Sequence, residues 1–212
     1  MRVLFPLLFC VSATLSVFAP VHSPGAQEVR PASVPAESGQ LPRVIVETEL
    51  GEIEIEVDTV RAPRTAANFL KYVDGGMYDT GRFHRTVRMD NQPNNDVKIE
   101  VIQGAASATR LRDFFPAIEL ERTSVTKLTH GDGAVSMARG TVDSARDEFF
   151  ICIGNQPELD FGGKRNADGQ GFAAFGRVVR GMDVVRKIQA APAEQQRLRP
   201  PITIVRARRA GA

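Results

Sequence analysis

The sequence Gly-Arg-Phe-His-Arg-Thr at residues 81–86 begins a series of four short motifs. Val-Ile-Gln-Gly follows at residues 101–104, Val-Ser-Met-Ala-Arg at 135–139, and Glu-Phe-Phe-Ile at 148–151. Any one of them is uninformative, because an arginine in a polar run is ordinarily a solvated charge and Phe-Phe-Ile is ordinarily a buried strand. The fold assignment therefore depends on their order, between two predicted helices.

Short strands are predicted around these motifs. Residues 52–57 alternate glutamate with isoleucine or valine, and this period of two predicts a half-buried strand with an acidic outer face. An apolar strand at residues 44–46 precedes it across a turn at Leu50-Gly51, so the two are expected to form a hairpin. Further short apolar runs occupy residues 98–102, 134–138, 149–153, 172–179 and 202–207. Many short strands with few helices favour a sandwich or a closed barrel, and the pattern alone does not choose between them.

One helix is predicted before the motif series and one after it. Pro63 suits the first turn of a helix, because its fixed backbone angle matches the helical one. Apolar side chains three to four residues apart form one face of this first helix: Ala66, Phe69, Leu70 and Val73. Glycines at 75 and 76 end it. The second helix is expected over residues 183–190, after which a proline pair at 200–201 leads into the last strand.

The four motifs in this order resemble the cyclophilin family of peptidyl-prolyl cis-trans isomerases, and the resemblance extends over residues 43–208. It implies a mainly β fold, a closed eight-stranded antiparallel barrel capped by two α-helices. It also implies an enzyme that accelerates rotation about Xaa-Pro bonds and uses no cofactor or metal. The partners that it implies are proline-containing peptides and unfolded or partly folded exported proteins.

By this resemblance Arg85 is the catalytic residue and Gln103 is its polar companion. The peptide bond has partial double-bond character and a rotation barrier of ~18–20 kcal/mol. Twisting the bond before proline localises a lone pair on the proline nitrogen, and a fixed cation directed there favours the twisted state. Arginine suits this role because it stays charged and presents a rigid fork of donors.

The resemblance also implies positions that bind substrate. Phe150 is expected to form the floor of a pocket for the proline ring. The backbone of Ala138 and Arg139 is expected to pair with the bound peptide in the manner of an added strand. The other binding positions are Val101, Glu148, Leu159 and Phe172, of which the last stands where the family usually has histidine or tyrosine.

Four neighbouring residues are given structural roles. Adjacent strand residues point to opposite faces, so Phe149 is expected in the core, and Phe83 likewise. His84 is interpreted as structural, since the rotation needs no proton shuttle. Cys152 stands between two isoleucines and is interpreted as a small buried hydrophobe.

The sequence departs from the family at several groove positions. Glu100 and Val101 replace an apolar pair. Glu148 stands where glutamine is usual, and Glu158 where an aromatic residue is common. A polar, turn-forming insertion lies within residues 88–98, beside the expected groove. These changes predict an acidic rim that favours peptides with basic residues, and weak binding of cyclosporin-type inhibitors.

Two functions stay open at this point. Arg85 and Phe150 favour an isomerase that assists the folding of exported proteins. The three glutamates favour the alternative, a peptide-binding or chaperone module on the cyclophilin fold with little catalysis. A third possibility, a general all-β interaction domain unrelated to proline, would require the order of the motifs to be accidental.

Composition excludes several classes of protein. The chain has 212 residues with a net charge of +2, which gives no bulk attraction to nucleic acid. Three histidines and two cysteines are too few and too scattered to indicate a metal site, and no glycine-rich phosphate loop occurs. Nothing in the sequence indicates oligomerisation, so a monomer is expected.

The first 26 residues predict a secretory signal peptide. A positive charge at Arg2 precedes an apolar run at residues 3–19, and small residues then lead to Ala26, after which cleavage is expected, with Ser23 as the alternative site. The run is shorter than the ~20 apolar residues of a spanning helix, which disfavours the alternative of an uncleaved anchor. We therefore expect an exported protein, periplasmic or extracytoplasmic, with no stable membrane span after cleavage.

The remaining chain divides by composition. Residues 27–42 are rich in Pro, Ala, Ser and Glu and predict a disordered linker. Residues 43–208 form the isomerase domain, and residues 209–212 a tail. Cys10 belongs to the leader, so cleavage would leave Cys152 alone and exclude an internal disulfide.

Overall fold

The computed structural model of the chain describes residues 39–109 and 115–211. The predicted signal peptide, with Cys10, and residues 27–38 of the predicted linker lie outside these ranges. Within them, no helix is long and apolar enough to cross a membrane.

Strands make up most of the described chain. In order they are β1 (Arg43–Thr48), β2 (Gly51–Val57), β3 (Arg82–Val87), β4 (Val101–Ala105), β5 (Ala134–Met137), β6 (Phe149–Cys152), β7 (Ala173–Arg180), β8 (Ala193–Glu194) and β9 (Arg197–Arg209). The helices are α1 (Pro63–Asp74), α2 (Thr123–Thr126) and α3 (Met182–Ala190), with one turn of 3₁₀ helix at Pro157–Leu159. α1 and α3 are the two predicted helices, whereas α2 and the 3₁₀ turn are too short to show an apolar period.

Eight of the strands close into an antiparallel barrel, which confirms the predicted fold. Their order around the barrel is β1-β2-β7-β5-β6-β4-β3-β9, and β9 pairs back onto β1. The two-residue β8 is an addition that pairs with β9. Because the ring is closed, its strands present no long unpaired edge.

The predicted β1–β2 hairpin sorts its side chains by the period of two. Ile53, Ile55 and Val57 are fully buried in the barrel core. The alternating glutamates lie on the outer surface, where they form ion pairs: Glu52 with Arg180, Glu54 with Arg43 and Arg180, and Glu56 with Arg43 and Arg177. Exposed pairs contribute ~0–1 kcal/mol each, so apolar burial is the main stabilising contribution of this hairpin.

Helix α1 packs on the barrel through its predicted apolar face. Pro63 is its first residue, and Ala66, Phe69 and Val73 are buried. The ring of Phe69 lies 4.9 Å from that of Phe175 and 5.5 Å from that of Phe149, measured between centroids. Such aromatic pairs add ~0.5–1.5 kcal/mol beyond area burial, so α1 is held by a cluster of rings.

The last strand is longer than predicted and runs through the proline pair. The β3–β9 pairing steps from Phe83 opposite Ile202 to Arg85 opposite Arg197, with a bulge between them. Residues 199–201 therefore have no paired residue across the ladder, and the prolines remove no ladder hydrogen bond there. The same bulge leaves His84 and Arg85 both half-exposed, between buried Phe83 and buried Thr86.

Candidate functional site

Three neighbouring strands place the predicted site residues side by side. Arg85 of β3 stands opposite Gln103 of β4, and Gln103 stands opposite Phe150 of β6. The motifs are far apart in sequence, and the antiparallel register of these strands brings them into one row. Across three neighbouring strands, the barrel wall therefore places a cation, an amide and an aromatic ring next to one another.

The guanidinium of Arg85 is held from two sides. Its Nη1 donates to Oε1 of Gln103 at 2.9 Å. Its Nε and Nη2 both donate to Oε1 of Gln196, at 3.0 and 2.6 Å. Nε2 of Gln196 in turn donates to the carbonyl of Asn91 at 3.2 Å. Gln196 lies between β8 and β9 and was not identified from the sequence, since no local pattern marks a glutamine there.

Partial burial and one carboxylate set the electrostatics at Arg85. Burial lowers the pKa of Arg85 from its ordinary value, while Glu148 opposes that shift. Arginine remains charged through such changes, because its ordinary pKa lies above ~12. The site therefore presents a permanent positive charge in a partly dry position.

Glu148 acts on Arg85 through Gln103. Nε2 of Gln103 donates a hydrogen bond to Oε2 of Glu148, while Oε1 of the same amide accepts from Arg85. Nε2 of His84 lies 3.9 Å from the same Glu148 oxygen. Burial is the main cause that lowers the pKa of His84. The expected effect of Glu148 is thus to orient Gln103, whose amide oxygen is kept toward the arginine.

An apolar cluster lies beside the row and contains most of the predicted binding positions. Phe150, Val101 and Leu159 are buried together, with Ala138 and Phe172 packed against them. The ring of Phe172 meets that of Phe150 edge-on, at 5.3 Å between centroids. This arrangement has the floor and the wall expected for a proline pocket.

A buried histidine supports the ring of Phe150 from below. His130 stacks on Phe150 at 5.9 Å between centroids, with 16° between the ring planes. Its Nδ1 is 2.7 Å from Oδ1 of Asp160 and its Nε2 is 3.0 Å from Oγ of Ser136. Both ring nitrogens are thereby satisfied, so the histidine fixes the orientation of the pocket floor.

Arg139 contributes a side chain to the pocket wall as well as backbone. Its side chain is only 1% exposed and donates to both carboxylate oxygens of Asp168, at 2.7 and 3.0 Å. The guanidinium lies 5.2 Å from the ring centre of Phe172. Hydrogen bonds from Arg139 lower the pKa of Asp168 to about 2. The ion pair therefore holds the Phe172 wall at neutral pH.

The backbone expected to pair with peptide is partly used within the protein. The amide of Ala138 donates to the carbonyl of Glu148 at 2.9 Å. Across the described ranges, the amide of Arg139 has no backbone acceptor. Of the two predicted residues, Arg139 is thus the one with a free backbone donor for an added strand.

The insertion at 88–98 is an ordered support for the site. The side chain of Gln92 is buried and donates to the carbonyls of Arg88 and Ile99, at 2.7 and 2.8 Å. Nη1 of Arg165 donates to Oε1 of Gln92 at 2.9 Å and to the carbonyl of Val97 at 2.6 Å. Together with the Gln196–Asn91 bond, these contacts connect the insertion to Gln196, a hydrogen-bond partner of Arg85.

One of the three glutamates expected near the groove, Glu100, lies on the other face of its strand. Glu100 receives a hydrogen bond from Nε2 of Gln189 on α3, at 3.0 Å. Side chains alternate along a strand, so the position of Glu100 follows from those of its neighbours. Val101 and Gln103 face the groove, and Glu100 and Ile102 therefore face the opposite side. Glu158 accepts the amide of Lys164 at 2.8 Å. Glu148 is the carboxylate that acts on the pKa of Arg85, and the predicted acidic rim is wrong for Glu100.

The residues given structural roles are placed as expected. Phe83 and Phe149 are buried in the barrel core, 5.7 Å apart between ring centres. Cys152 is fully buried, and burial raises the pKa of its thiol far above the ordinary value. A thiol in that state is a packing group without nucleophilic character.

The comparisons with known proteins agree with this geometry. A family model described as "Cyclophilin type peptidyl-prolyl cis-trans isomerase/CLD" matches residues 43–209. A peptidyl-prolyl cis-trans isomerase of Acinetobacter baylyi is 35% identical over 150 residues, which cover 70% of this chain and 72% of that protein. Peptidyl-prolyl cis-trans isomerase A of Dickeya dadantii is 32% identical over 152 residues, covering 71% and 73% respectively.

A solved structure shares the fold. It is the crystal structure of a cyclophilin type peptidyl-prolyl cis-trans isomerase from Cryptosporidium parvum, obtained in the presence of the dipeptide Ala-Pro. It aligns with a TM-score of 0.64 and 18% identity, covering 80% of this chain and 99% of that chain. At this identity the likeness concerns the barrel alone.

Proposed function

The chain belongs to the cyclophilin family of peptidyl-prolyl cis-trans isomerases, and we propose that it accelerates Xaa-Pro rotation in exported proteins during their folding. The observation that carries the catalytic part is the Arg85 guanidinium, held by two glutamines beside the apolar pocket of Phe150. Slow proline isomerisation limits many folding reactions, so an exported isomerase has substrates wherever unfolded chains arrive.

The hydrogen bonds at Arg85 leave donors for the substrate. A guanidinium has five N–H groups. One at Nε, one at Nη1 and one at Nη2 are used by the two glutamines. The remaining N–H groups, on Nη1 and Nη2, are available to a bound peptide. The glutamines therefore fix the plane of the fork without consuming all of it.

Catalysis follows from what this fork favours. A proline ring seated on Phe150 would bring its nitrogen near Arg85, and the charge would stabilise the lone pair that develops as the amide twists. Removing one preorganised donor from an active site typically lowers the rate by about 10²–10³-fold. The rotation breaks no bond and needs no proton transfer, so neither His84 nor Cys152 has a chemical part in it.

The export part of the proposal rests on the leader at residues 1–26 and is tested by fractionation. The full-length protein is expressed in a Gram-negative host, and its cellular fraction and N-terminal residue are determined. A periplasmic product beginning at Gln27 supports export. A product that keeps Met1 in the cytoplasm would contradict it. Replacing Arg2 and part of the apolar run with acidic residues is the control that should retain the protein inside.

A further inference from the structure

A second cavity adjoins the proline groove, and two of the arginines that line it form no ion pair among the described residues. It measures about 460 Å³. Its charged and titratable lining residues are Arg82, His84, Asp147, Glu148, Arg197 and Arg199, and we name it the arginine cavity. The function described above assigns it no role.

Two arginines of this cavity, Arg82 and Arg197, differ from most others in the described chain, whereas the third, Arg199, forms an ion pair with Glu194 at 3.4 Å. Arg139, Arg177 and Arg180, for example, each form an ion pair with a carboxylate. Among the described residues, the side chains of Arg82 and Arg197 have no carboxylate or hydrogen-bond partner, and both are exposed. Surface arginines without a partner at the rim of a cavity offer a planar fork of donors to a carboxylate.

The two carboxylates in the cavity wall are already engaged. Asp147 is 7% exposed, accepts the amide of Ala106 at 3.2 Å, and has its pKa raised by burial. Glu148 accepts the side-chain amide of Gln103. Among the described residues, neither forms an ion pair with Arg82 or Arg197. Burial is the main cause that lowers the pKa of His84; Glu148 raises it, and smaller effects of Arg82, Arg85 and Arg197 lower it.

The arginine cavity adjoins the groove side of the barrel at Glu148. That residue also lines a neighbouring cavity of about 430 Å³, together with Gln103, Ala138 and Arg139. A peptide bound with its proline on Phe150 can thus extend past Glu148 toward the arginines. A bound client would meet an apolar surface at Phe150 and the unpaired arginines Arg82 and Arg197 farther along.

We propose that the arginine cavity is a subsite for a carboxylate-bearing residue of the client, so that Xaa-Pro bonds flanked by glutamate or aspartate are preferred to those flanked by lysine. This inference rests on the proposed isomerase function. It reverses the preference for basic peptides predicted from the sequence, which was based on the groove glutamates and did not include Arg82 and Arg197.

The test uses matched peptides and matched arginine variants of the full chain. A set of short Xaa-Pro peptides carries Glu, Gln or Lys at successive positions on either side of the proline, and kcat/KM is measured for each. We expect glutamate to exceed lysine by about tenfold at one position, since exposed ion pairs are individually weak and the swap exchanges attraction for repulsion. In the double variant Arg82→Gln/Arg197→Gln that ratio should approach one.

The matched control is Arg206→Gln. Arg206 is also an exposed arginine of β9 without a carboxylate partner among the described residues, and it does not line the cavity. Its variant should keep the full glutamate preference. Raising the ionic strength to about 1 M, where the screening length is about 3 Å, should shrink the preference in the parent protein. Thermal unfolding of each variant confirms that it is folded at the assay temperature.

The outcomes distinguish a failure of the subsite from a failure of the isomerase function. A parent that turns over the glutamine peptides but treats glutamate and lysine alike overturns the subsite and leaves the isomerase intact. So does a glutamate preference that survives the double substitution. A parent that accelerates no peptide contradicts the isomerase proposal; anisotropy titrations with fluorescein-labelled glutamate and lysine peptides then decide the subsite separately, and equal or absent binding overturns it.

Discussion

Replacing Gln196 by alanine is expected to slow isomerisation about tenfold or more with little change in peptide affinity. Gln196 accepts two of the three hydrogen bonds that fix the Arg85 guanidinium, at 3.0 and 2.6 Å. The variant leaves the charge in place and keeps the bond to Gln103. It removes the two hydrogen bonds that keep the plane of the Arg85 guanidinium from rotating.

The magnitude follows from the hydrogen bonds and from geometry. A hydrogen bond to a charged group contributes ~1.5–3 kcal/mol, and water recovers part of this because Arg85 is half-exposed. A net loss of ~1.4 kcal/mol in the twisted state corresponds to tenfold in rate. Misplacing a catalytic group by ~1 Å can cost about 10²-fold, which bounds the effect from above.

The assay is cis-to-trans exchange of one Xaa-Pro peptide, followed for the parent, Gln196→Ala and Gln195→Ala. Gln195 is the adjacent, exposed glutamine, and its side chain makes no hydrogen bond within the described residues. Its variant should retain the parent rate. Unfolding by urea checks that Gln196→Ala remains folded, with an expected loss of about 1 kcal/mol.

A charged variant at position 196 distinguishes the orientation of the Arg85 guanidinium from the electric field around it. Gln196→Glu keeps an oxygen acceptor beside Arg85 but adds a negative charge at hydrogen-bond distance. Since the account requires an uncompensated cation, this variant should be slowed at least as much as Gln196→Ala. A parent-like rate in both variants would refute the reasoning, because Gln103 alone would then suffice to position the arginine.

Three further outcomes are expected. Phe150→Ala should raise KM more than it lowers kcat and destabilise the fold by about 3–5 kcal/mol, as measured by peptide titration and urea unfolding. The pKa of Asp168 is about 2 in the folded protein, against ~3.9 unfolded. Its contribution to stability is therefore present at neutral pH and is lost as pH falls from about 4 through 2, and Asp168→Asn should flatten unfolding titrations in that window. Burial raises the pKa of the Cys152 thiol, so a thiol reagent at about pH 8 should label the protein from Gln27 onward, which lacks Cys10, no faster than it unfolds; fast labelling would contradict this packing role.

Local patterns were sufficient for the elements whose signal is contained in a few neighbouring residues. Pro63 and the apolar spacing after it predicted α1, and the alternation in residues 52–57 predicted β2 with its correct buried face. The closed barrel needed the order of the motifs as well, since strand periodicity alone is the same in a sandwich. β9 was underestimated because its prolines lie at a bulge, where strand pairing is not required.

The site was only partly accessible to sequence reasoning, for two physical reasons. Gln196 and Arg165 reach the site from distant segments through side-chain hydrogen bonds, and nothing in their immediate sequence marks these contacts. The position of Glu100, in contrast, could have been deduced. Once Gln103 is taken to face the groove, alternation along the strand turns the residue three positions earlier to the opposite face.

The most direct test of the central claim is the exchange rate of a short Xaa-Pro peptide with the parent protein beside Arg85→Ala and Arg85→Lys. Acceleration is expected with the parent, and a loss of about 10²–10³-fold in Arg85→Ala. Arg85→Lys should also be slow, because lysine keeps the charge but cannot be held by both Gln103 and Gln196 as a fork. A parent that binds the peptide while exchange stays at the solvent rate, or an Arg85→Ala variant as fast as the parent, would contradict the account.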